Sequence, residues 1–329
     1  MKISVVIPTH NRADALDKTL VYLRQQIFEP LWEVVVVNNN CTDDTDKVIA
    51  RHQQIFPVPL LIVHEVKPGA AAARNAGARM AKGEYLVFID NDILTNPDFL
   101  KLHYNNLLKR KRCWYVGYIS NLPEQEKTPF GKFKKSLEPE PGISVTEIGG
   151  ITGQTTSMPK QDFDLLGGFD ENFHVASGED RELAIRAKKS GIRIFLDPQI
   201  RVLHNDWAGA TIKDYCNRQR TYTLTEPFFW QKYGNETPRL KMVKENLPPS
   251  LKYDGFRLCC WKITKSMLGS KLGQGIVIGL CGVCEKIFPR PFILWRLYRL
   301  AIVGAIYKGF NEGLAFFSVD QKALRPALQ

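Results

Sequence analysis

The chain has 329 residues, enough for one large domain with an appendage or for two modest domains. Hydrophobic residues make up 44% and charged residues 24%, which excludes disorder as the default state. The formal charge is +11, and +9 of it lies in residues 236–329, so a basic partner-facing or solvent-facing segment is expected there and not in the first two thirds.

In chain order, Ile3–Ile7 reads as a strand and Ala13–Gln26 as a helix. Val34–Val37 is a second strand and Thr42–Phe56 a second helix. Leu60–Val63, Ala70–Lys82 and Tyr85–Ile89 continue as strand, helix, strand. Continuous Val/Ile runs suit a parallel sheet covered on both faces, and the alternation predicts a doubly wound, mostly parallel α/β sheet with flanking helices. Met1-Lys2-Ile3-Ser4 leads into an apolar run that Pro8 ends at once, which reads as a buried strand and not as a leader. Residues 121–142, rich in Pro, Lys and Glu, read as a long surface loop. Gly167-Gly168-Phe169-Asp170 is a turn, Asp180–Ser190 a helix and Ile192–Leu196 a strand. The pattern changes after about residue 235, and Pro248-Pro249 marks a boundary. The division expected is a catalytic domain over 1–235 and a basic, apolar helical region over 236–329.

Parallel sheets bind ligands at the carboxyl ends of their strands. That rule singles out Pro8-Thr9-His10-Asn11-Arg12, Asn38-Asn39-Asn40 and Asp90-Asn91-Asp92. Two carboxylates one residue apart can share a divalent cation, since Mg²⁺ and Mn²⁺ prefer oxygen ligands, although Asp and Asn at a strand end also cap turns. The seven cysteines have no framework spacing, which points to reduced thiols in the cytosol. Cys281-Gly-Val-Cys284 lacks the second ligand pair of a zinc site and reads as buried apolar cysteine.

The combination of Ile7–Arg12, Val37–Thr45, Ala73-Arg74-Asn75-Ala76-Gly77, Phe88–Asp92, Gly167–Glu171 and Gly178-Glu179-Asp180 resembles the family 2 glycosyltransferases of the GT-A fold, in order and in spacing, over roughly the first 210 residues. The resemblance implies an inverting transfer of sugar from a nucleoside diphosphate, with a UDP-sugar favoured, to a glycan or lipid-linked acceptor. Asp92 would hold the Mn²⁺ or Mg²⁺, Asp90 would contact the ribose and help orient the metal, and His204 sits where the fold often places a further ligand. Pro8, Thr9, Asn11 and Arg12 would line the nucleoside pocket, and Arg74 would face the nucleotide or diphosphate. Asn38 stands where the family usually has an aspartate; its amide can accept from a base and also donate. Asp180 would be the general base, with Glu179 binding acceptor or orienting it. Among Trp207, Tyr215, Tyr222, Phe228, Phe229 and Trp230, aromatic faces could stack on sugar, Trp207 most plainly, but most read as core.

From Lys271 onward the chain is apolar but punctuated, too broken for a spanning helix. Trp295, Arg296, Tyr298 and Arg299 at one helix end fit a helix lying in an anionic membrane interface, holding the enzyme peripherally on the cytosolic face. Lys and Arg mixed with aliphatics argue against nucleic acid. A nicotinamide oxidoreductase or a nucleotidyltransferase would want a Gly-rich turn where Pro8-Thr9-His10-Asn11 stands. A catalytically inactive sugar-nucleotide-binding protein would be expected to lack Asp92 or Asp180, and both are present.

Overall fold

A computed structural model of the chain describes residues 1–137, 140–173, 177–206, 209–234, 240–287 and 290–324. The chain forms two compact units, residues 1–122 with 140–206, and residues 123–139 with 207–329.

The first unit opens with β1 (Ile3–Thr9), α1 (Ala13–Leu23), β2 (Trp32–Asn38), α2 (Thr45–Gln53), β3 (Leu60–His64), α3 (Ala70–Met80) and β4 (Tyr85–Ile89), matching the alternation of apolar runs and helical patterns. β5 (Ile93–Thr95), α4 (Phe99–Lys109) and β6 (Cys113–Asn121) follow. α5 (Pro123–Glu126) and α6 (Pro129–Leu137) belong to the second unit. β7 (Thr146–Glu147), β8 (Thr155–Pro159), α7 (Lys160–Leu165), α8 (Glu179–Lys189) and β9 (Arg193–His204) complete the first. Among the described residues the strands form one sheet in the order β3-β2-β1-β4-β8-β6-β9-β5, with β7 on β9. The β3-β2-β1-β4 half is parallel; β8 then runs antiparallel to both β4 and β6.

Strand alternation sends neighbouring residues to opposite faces. Val5, Ile7, Val34 and Val36 pack with Leu16, Leu20 and Ile49 of α1 and α2. Val6 packs with Ala71 and Ala78 of α3, and Val35 and Val37 with Ala73 and Ala76. Both faces of β1 and β2 are therefore dry, which is why Val5–Ile7 and Val34–Val37 are all Val or Ile. The winding reverses between β1 and β4, the switch point where a crevice opens at the strand ends.

The second unit contains α9 (Ile212–Leu224), α10 (Glu226–Tyr233), α11 (Leu240–Asn246), α12 (Phe256–Gly269), α13 (Lys271–Ile287), α14 (Pro291–Phe316) and α15 (Gln321–Leu324). α14 is its spine. A Cβ on Gly309 would lie 2.1 Å from Arg220 O, and one on Gly313 1.9 Å from Leu224 O, so α9 and α14 touch backbone to backbone. That contact is why the residues from 207 onward group with the tail, and the boundary expected near residue 235 falls inside the second unit. The expected loop over 121–142 instead contains α5 and α6. Phe130 and Phe133 recur three apart, bury one helix face, and pack with Tyr298 and Cys281. The cysteines are free, Cys281 buried and Cys284 half-buried.

The tail differs from its expected use. Tyr298 is fully buried, donates its hydroxyl to Glu285 and stacks edge-on with Phe130. Trp295 is half-buried against Phe133. The aromatic pair is thus committed to the unit's core. Among the described residues no single helix is long and apolar enough to cross a membrane.

The closeness of α3 to the sheet gives a test. A Cβ on Gly77 would meet Val6 Cγ1 at 2.4 Å and Val37 Cγ2 at 3.0 Å, both in the core. Gly77→Ala should therefore cost about 1–3 kcal/mol by overpacking, read as a lower denaturant midpoint with an unchanged slope.

Candidate active site

The loops after β1, β2 and β4 are tied together before any ligand is considered. Asn11 takes a positive φ of 50° and accepts through Oδ1 from the Thr42 backbone N–H at 2.7 Å. The Asn39 amide makes three bonds to the loop between β3 and α3: it donates to Glu65 O at 2.8 Å and Lys67 O at 2.7 Å, and accepts from the Gly69 N–H at 3.0 Å. Thr9 is buried, and its hydroxyl accepts from Asn91 Nδ2 at 2.6 Å. Its side chain therefore braces β1 against the Asp90-Asn91-Asp92 turn. Asn38 is likewise engaged: Oδ1 accepts from the Cys41 N–H at 2.8 Å, and Nδ2 donates to Asp46 at 2.6 Å. Pro8 pairs with Val37 in the parallel ladder.

Two charge clusters stand beyond these braces. In the first, Arg74 projects from α3 and is 4% exposed. It donates to Glu179 Oε1 at 2.9 Å and Asp90 Oδ1 at 2.8 Å, and its Nη1 is 3.8 Å from Asp180 Oδ1. Its neighbour Asn75 clamps the following turn, donating to Phe169 O and accepting from the Phe169 N–H, both at 2.9 Å. Gly153 lies over the guanidinium, where a Cβ would come 2.3 Å from Arg74 Cζ. Asp180 Oδ2 accepts from the Gly153 N–H at 2.8 Å. Asp180 Oδ1 and Glu179 Oε2 are buried and accept no hydrogen bond among the described residues.

Burial and charge set the protonation here. Burial would lower the Arg74 pKa, but Asp90, Asp180 and Glu179 outweigh it and raise it, so Arg74 is a permanent cation. Burial raises the Asp180 carboxyl, and Arg74 and the Gly153 N–H offset this only in part. Burial and the neighbouring Asp180 push Glu179 up to about 7. One guanidinium cannot neutralise three carboxylates, and the two at the start of α8 carry the difference.

The second cluster lies where β5 pairs with β9. Asp92 O accepts from the Asn205 N–H at 2.8 Å, and Asp92 Oδ1 is 3.4 Å from His204 Nε2. Arg12 Nη1 donates to Asp92 Oδ2, and Arg12 Nη2 is 3.6 Å from Asp206. Gln154 Nε2 approaches His204 Nε2 at 3.2 Å. Burial would raise the Asp92 carboxyl, but His204 and Arg12 hold it below the usual range.

Among the described residues no three His, Cys, Asp or Glu side chains converge into a ready cation cage. Yet Asp92 Oδ1 is buried without a hydrogen bond beside a half-buried imidazole. A carboxylate and an imidazole fit an ion that completes its shell with water and substrate phosphate, the usual Mg²⁺ and Mn²⁺ habit. Asp90, named with Asp92 from sequence, gives Oδ1 to Arg74. Asp206, Gln154 and Gly153 were not singled out from sequence. Only Asp206 carried a signal, an acid two residues past His204. Trp207 lies outside the described residues.

A sheet that reverses at β1/β4, with an acidic turn ending β4 and a carboxylate-led helix across the crevice, is the GT-A arrangement. Residues 4–158 match the family model described as "Glycosyl transferase family 2", and residues 143–204 match that described as "N-terminal domain of galactosyltransferase". The family 2 match thus covers just under half of the chain, the part that carries β1 to β8. A validoxylamine A glucosyltransferase of Streptomyces hygroscopicus subsp. limoneus is 30% identical over 220 residues, covering 58% of this chain and 48% of its own. A glucosyl-dolichyl phosphate glucuronosyltransferase of Haloferax volcanii is 26% identical over 242 residues, covering 71% and 76%. The solved mannosyltransferase of Pyrobaculum calidifontis in complex with GDP-Man and Mn²⁺ superposes with a TM-score of 0.60 at 18% identity, covering 94% of this chain and 88% of that one. The likeness to that structure is one of fold. The chain spans about half the length of the validoxylamine relatives.

Glu179 gives a pH test. Its native pKa of about 7 lies above the ordinary 4.5, so the native chain holds a proton that the unfolded chain has released. This group's contribution is complete below pH 4.5 and is lost as pH rises through 7. Glu179→Gln keeps an acceptor for Arg74 and removes the titration. The fall in melting temperature between about pH 4.5 and 7 should be shallower in the variant than in the parent chain; parallel curves would refute it.

Proposed function

We propose that the chain transfers a hexose from a nucleoside diphosphate sugar to a glycan or lipid-linked acceptor hydroxyl, in a single displacement with inversion, as part of polysaccharide biosynthesis. The observation that carries this reading is the Asp180 carboxylate. One oxygen is fixed by the Gly153 N–H, and the other is buried without a hydrogen bond. Leaving such an oxygen unpaired costs about 1–3 kcal/mol, a cost expected at a site that waits for a donor. A raised pKa suits a base that must take a proton near neutral pH.

In this mechanism the acceptor hydroxyl gives its proton to Asp180 as its oxygen bonds to the anomeric carbon. The bond from that carbon to the diphosphate breaks, and its electron pair stays on the phosphate oxygen. The Gly153 N–H and Arg74 hold Asp180 in place, and Arg74 also fixes Glu179 and Asp90. Asp92 and His204 are the side chains that would hold Mn²⁺ or Mg²⁺, which when bound would neutralise charge on the departing diphosphate. Pro8, Asn11 and Arg12 stand at the nucleoside end. Arg12 already neutralises Asp92, so loading the ion would require it to turn away, and it is the more exposed partner. Asn38 is engaged by Cys41 and Asp46, so the preference for a UDP-sugar rests on the family resemblance and not on this amide.

The relative that acts on a dolichyl phosphate and the basic C-terminal third support a peripheral place on the cytosolic face of a membrane, with catalysis in the sheet unit and attachment through the helices of 236–329.

A panel of nucleotide sugars, with released nucleotide as the readout, tests the activity. Asp92→Ala should lower turnover by about 10²-fold or more, the scale for losing a principal charge stabiliser; full turnover in excess chelator would remove the ion from the mechanism. Asp180→Asn should abolish transfer while donor binding persists, and equal loss of both would make Asp180 a donor ligand and not the base.

A further inference from the structure

We propose that the outward faces of α12 and α13 form a flat docking surface for anionic lipid. This rests on the membrane reading above and moves the centre of its contact from Trp295 and Tyr298 of α14 to α12 and α13.

A helix on a water-exposed surface should show polar residues outward. α13 does the reverse. Leu272, Ile276, Leu280, Val283 and Ile287 recur at spacings of four, four, three and four, which puts them on one stripe, and they are 47–74% exposed. Between them Gly275 and Gly279 are exposed, and a Cβ at either would meet nothing within 4 Å. A mid-helix glycine costs about 0.5–1 kcal/mol against alanine, and no packing inside the protein repays that here. The opposite side, Val277 and Cys281, is already in the core. α13 is therefore apolar on its inner and its outer side, and only the inner one is covered. α12 presents Phe256, Ile263 and Met267 at spacings of seven and four, all exposed. Phe292 and Ile293, at the start of α14, are exposed as well.

Charge selects the occupant. Residues 256–299 hold eight Lys and Arg but one acid, Glu285. Glu285 is engaged by the Tyr298 hydroxyl. Of the eight, Lys262 is paired with Asp254 at 2.7 Å and Lys265 with Glu245 at 3.3 Å. The remaining six, Arg257, Lys271, Lys286, Arg290, Arg296 and Arg299, are exposed. An apolar stripe fringed only by cations suits anionic headgroups, which attract each nearby Lys or Arg by about 1 kcal/mol. A second copy of the chain would instead bring like charges together. The two helices meet at 77°, and together they have the length and apolar composition of a broken span. However, α12 keeps the Lys262–Asp254 pair on its inner face, and α13 packs on α14, so lipid reaches one face only. The helices lie in the interface plane and do not cross.

The test is co-sedimentation of the full chain with phosphatidylcholine vesicles, with and without phosphatidylglycerol, beside the triple variant Ile276→Glu, Leu280→Glu, Val283→Glu. The parent chain should bind the anionic vesicles and bind less in high salt. The variant should bind ~10-fold or more weakly, with an unchanged melting temperature. If the variant melts early, Leu280→Gln with Val283→Gln replaces it and should weaken binding in the same direction. Equal binding by parent and variant overturns the face assignment while leaving membrane association standing. No binding by the parent chain overturns both. A concentration-dependent dimer in sedimentation velocity, abolished by the same substitutions, assigns the face to self-association and overturns the lipid proposal.

Discussion

A guanidinium that is 4% exposed has to be surrounded by compensating charge, and Arg74 is that group here. Its partners come from distant parts of the chain: Asp90 ends β4, and Glu179 and Asp180 begin α8. The ion network therefore sets where the amino end of α8 sits against the carboxyl end of the sheet. It also explains the protonation pattern. Three acids share one cation, so Glu179 and Asp180 are left undercompensated, and burial raises both. The helix dipole of α8 favours carboxylates at its first turn, which allows two acids to stand side by side there.

Small and amide side chains make that arrangement possible. Gly153 lets the backbone cross over Arg74 and offers its N–H to Asp180. Gly77 lets α3 settle onto β1 and β2, which fixes the depth of Arg74. Asn39 and Asn75 act as backbone substitutes, each satisfying donors and acceptors of separate loops. Thr9 and Asn91 do the same across the β1/β4 switch. Much of what looks like binding chemistry in the strand-end motifs is thus scaffolding that holds the crevice open in one shape.

The second unit follows a different rule. Its spine, α14, gains close partners through glycine: α9 lies against Gly309 and Gly313. Aromatic rings from α6 fill the space beside Tyr298. The unit is well packed inward yet leaves α13 uncovered on one side. An apolar stripe left outside a well-packed unit is the kind of surface that marks an interaction site.

The alternation of Val/Ile runs with helical patterns determined the first sheet half from local composition alone, because strands covered on both faces admit little else. The motif set pointed to the family and to Arg74, Asp90, Asp92, Asp180 and His204 as candidates, since each occurs in a characteristic local string. Sequence could not say how those side chains are spent. Thr9 and Asn38 turn inward because the loops beside them need hydrogen-bond partners, and Arg12 turns to Asp92 because a buried carboxylate needs a cation. α6 was hidden because the rings that cover Phe130 and Phe133, Tyr215 and Tyr298, lie far along the chain. Tyr298 looked like an interfacial anchor by type, but it meets Glu285 and the core. Periodicity shows that a helix has apolar faces; only the neighbours decide which face is buried and which is left outside, and on α13 that decision left a stripe of aliphatic side chains facing outward.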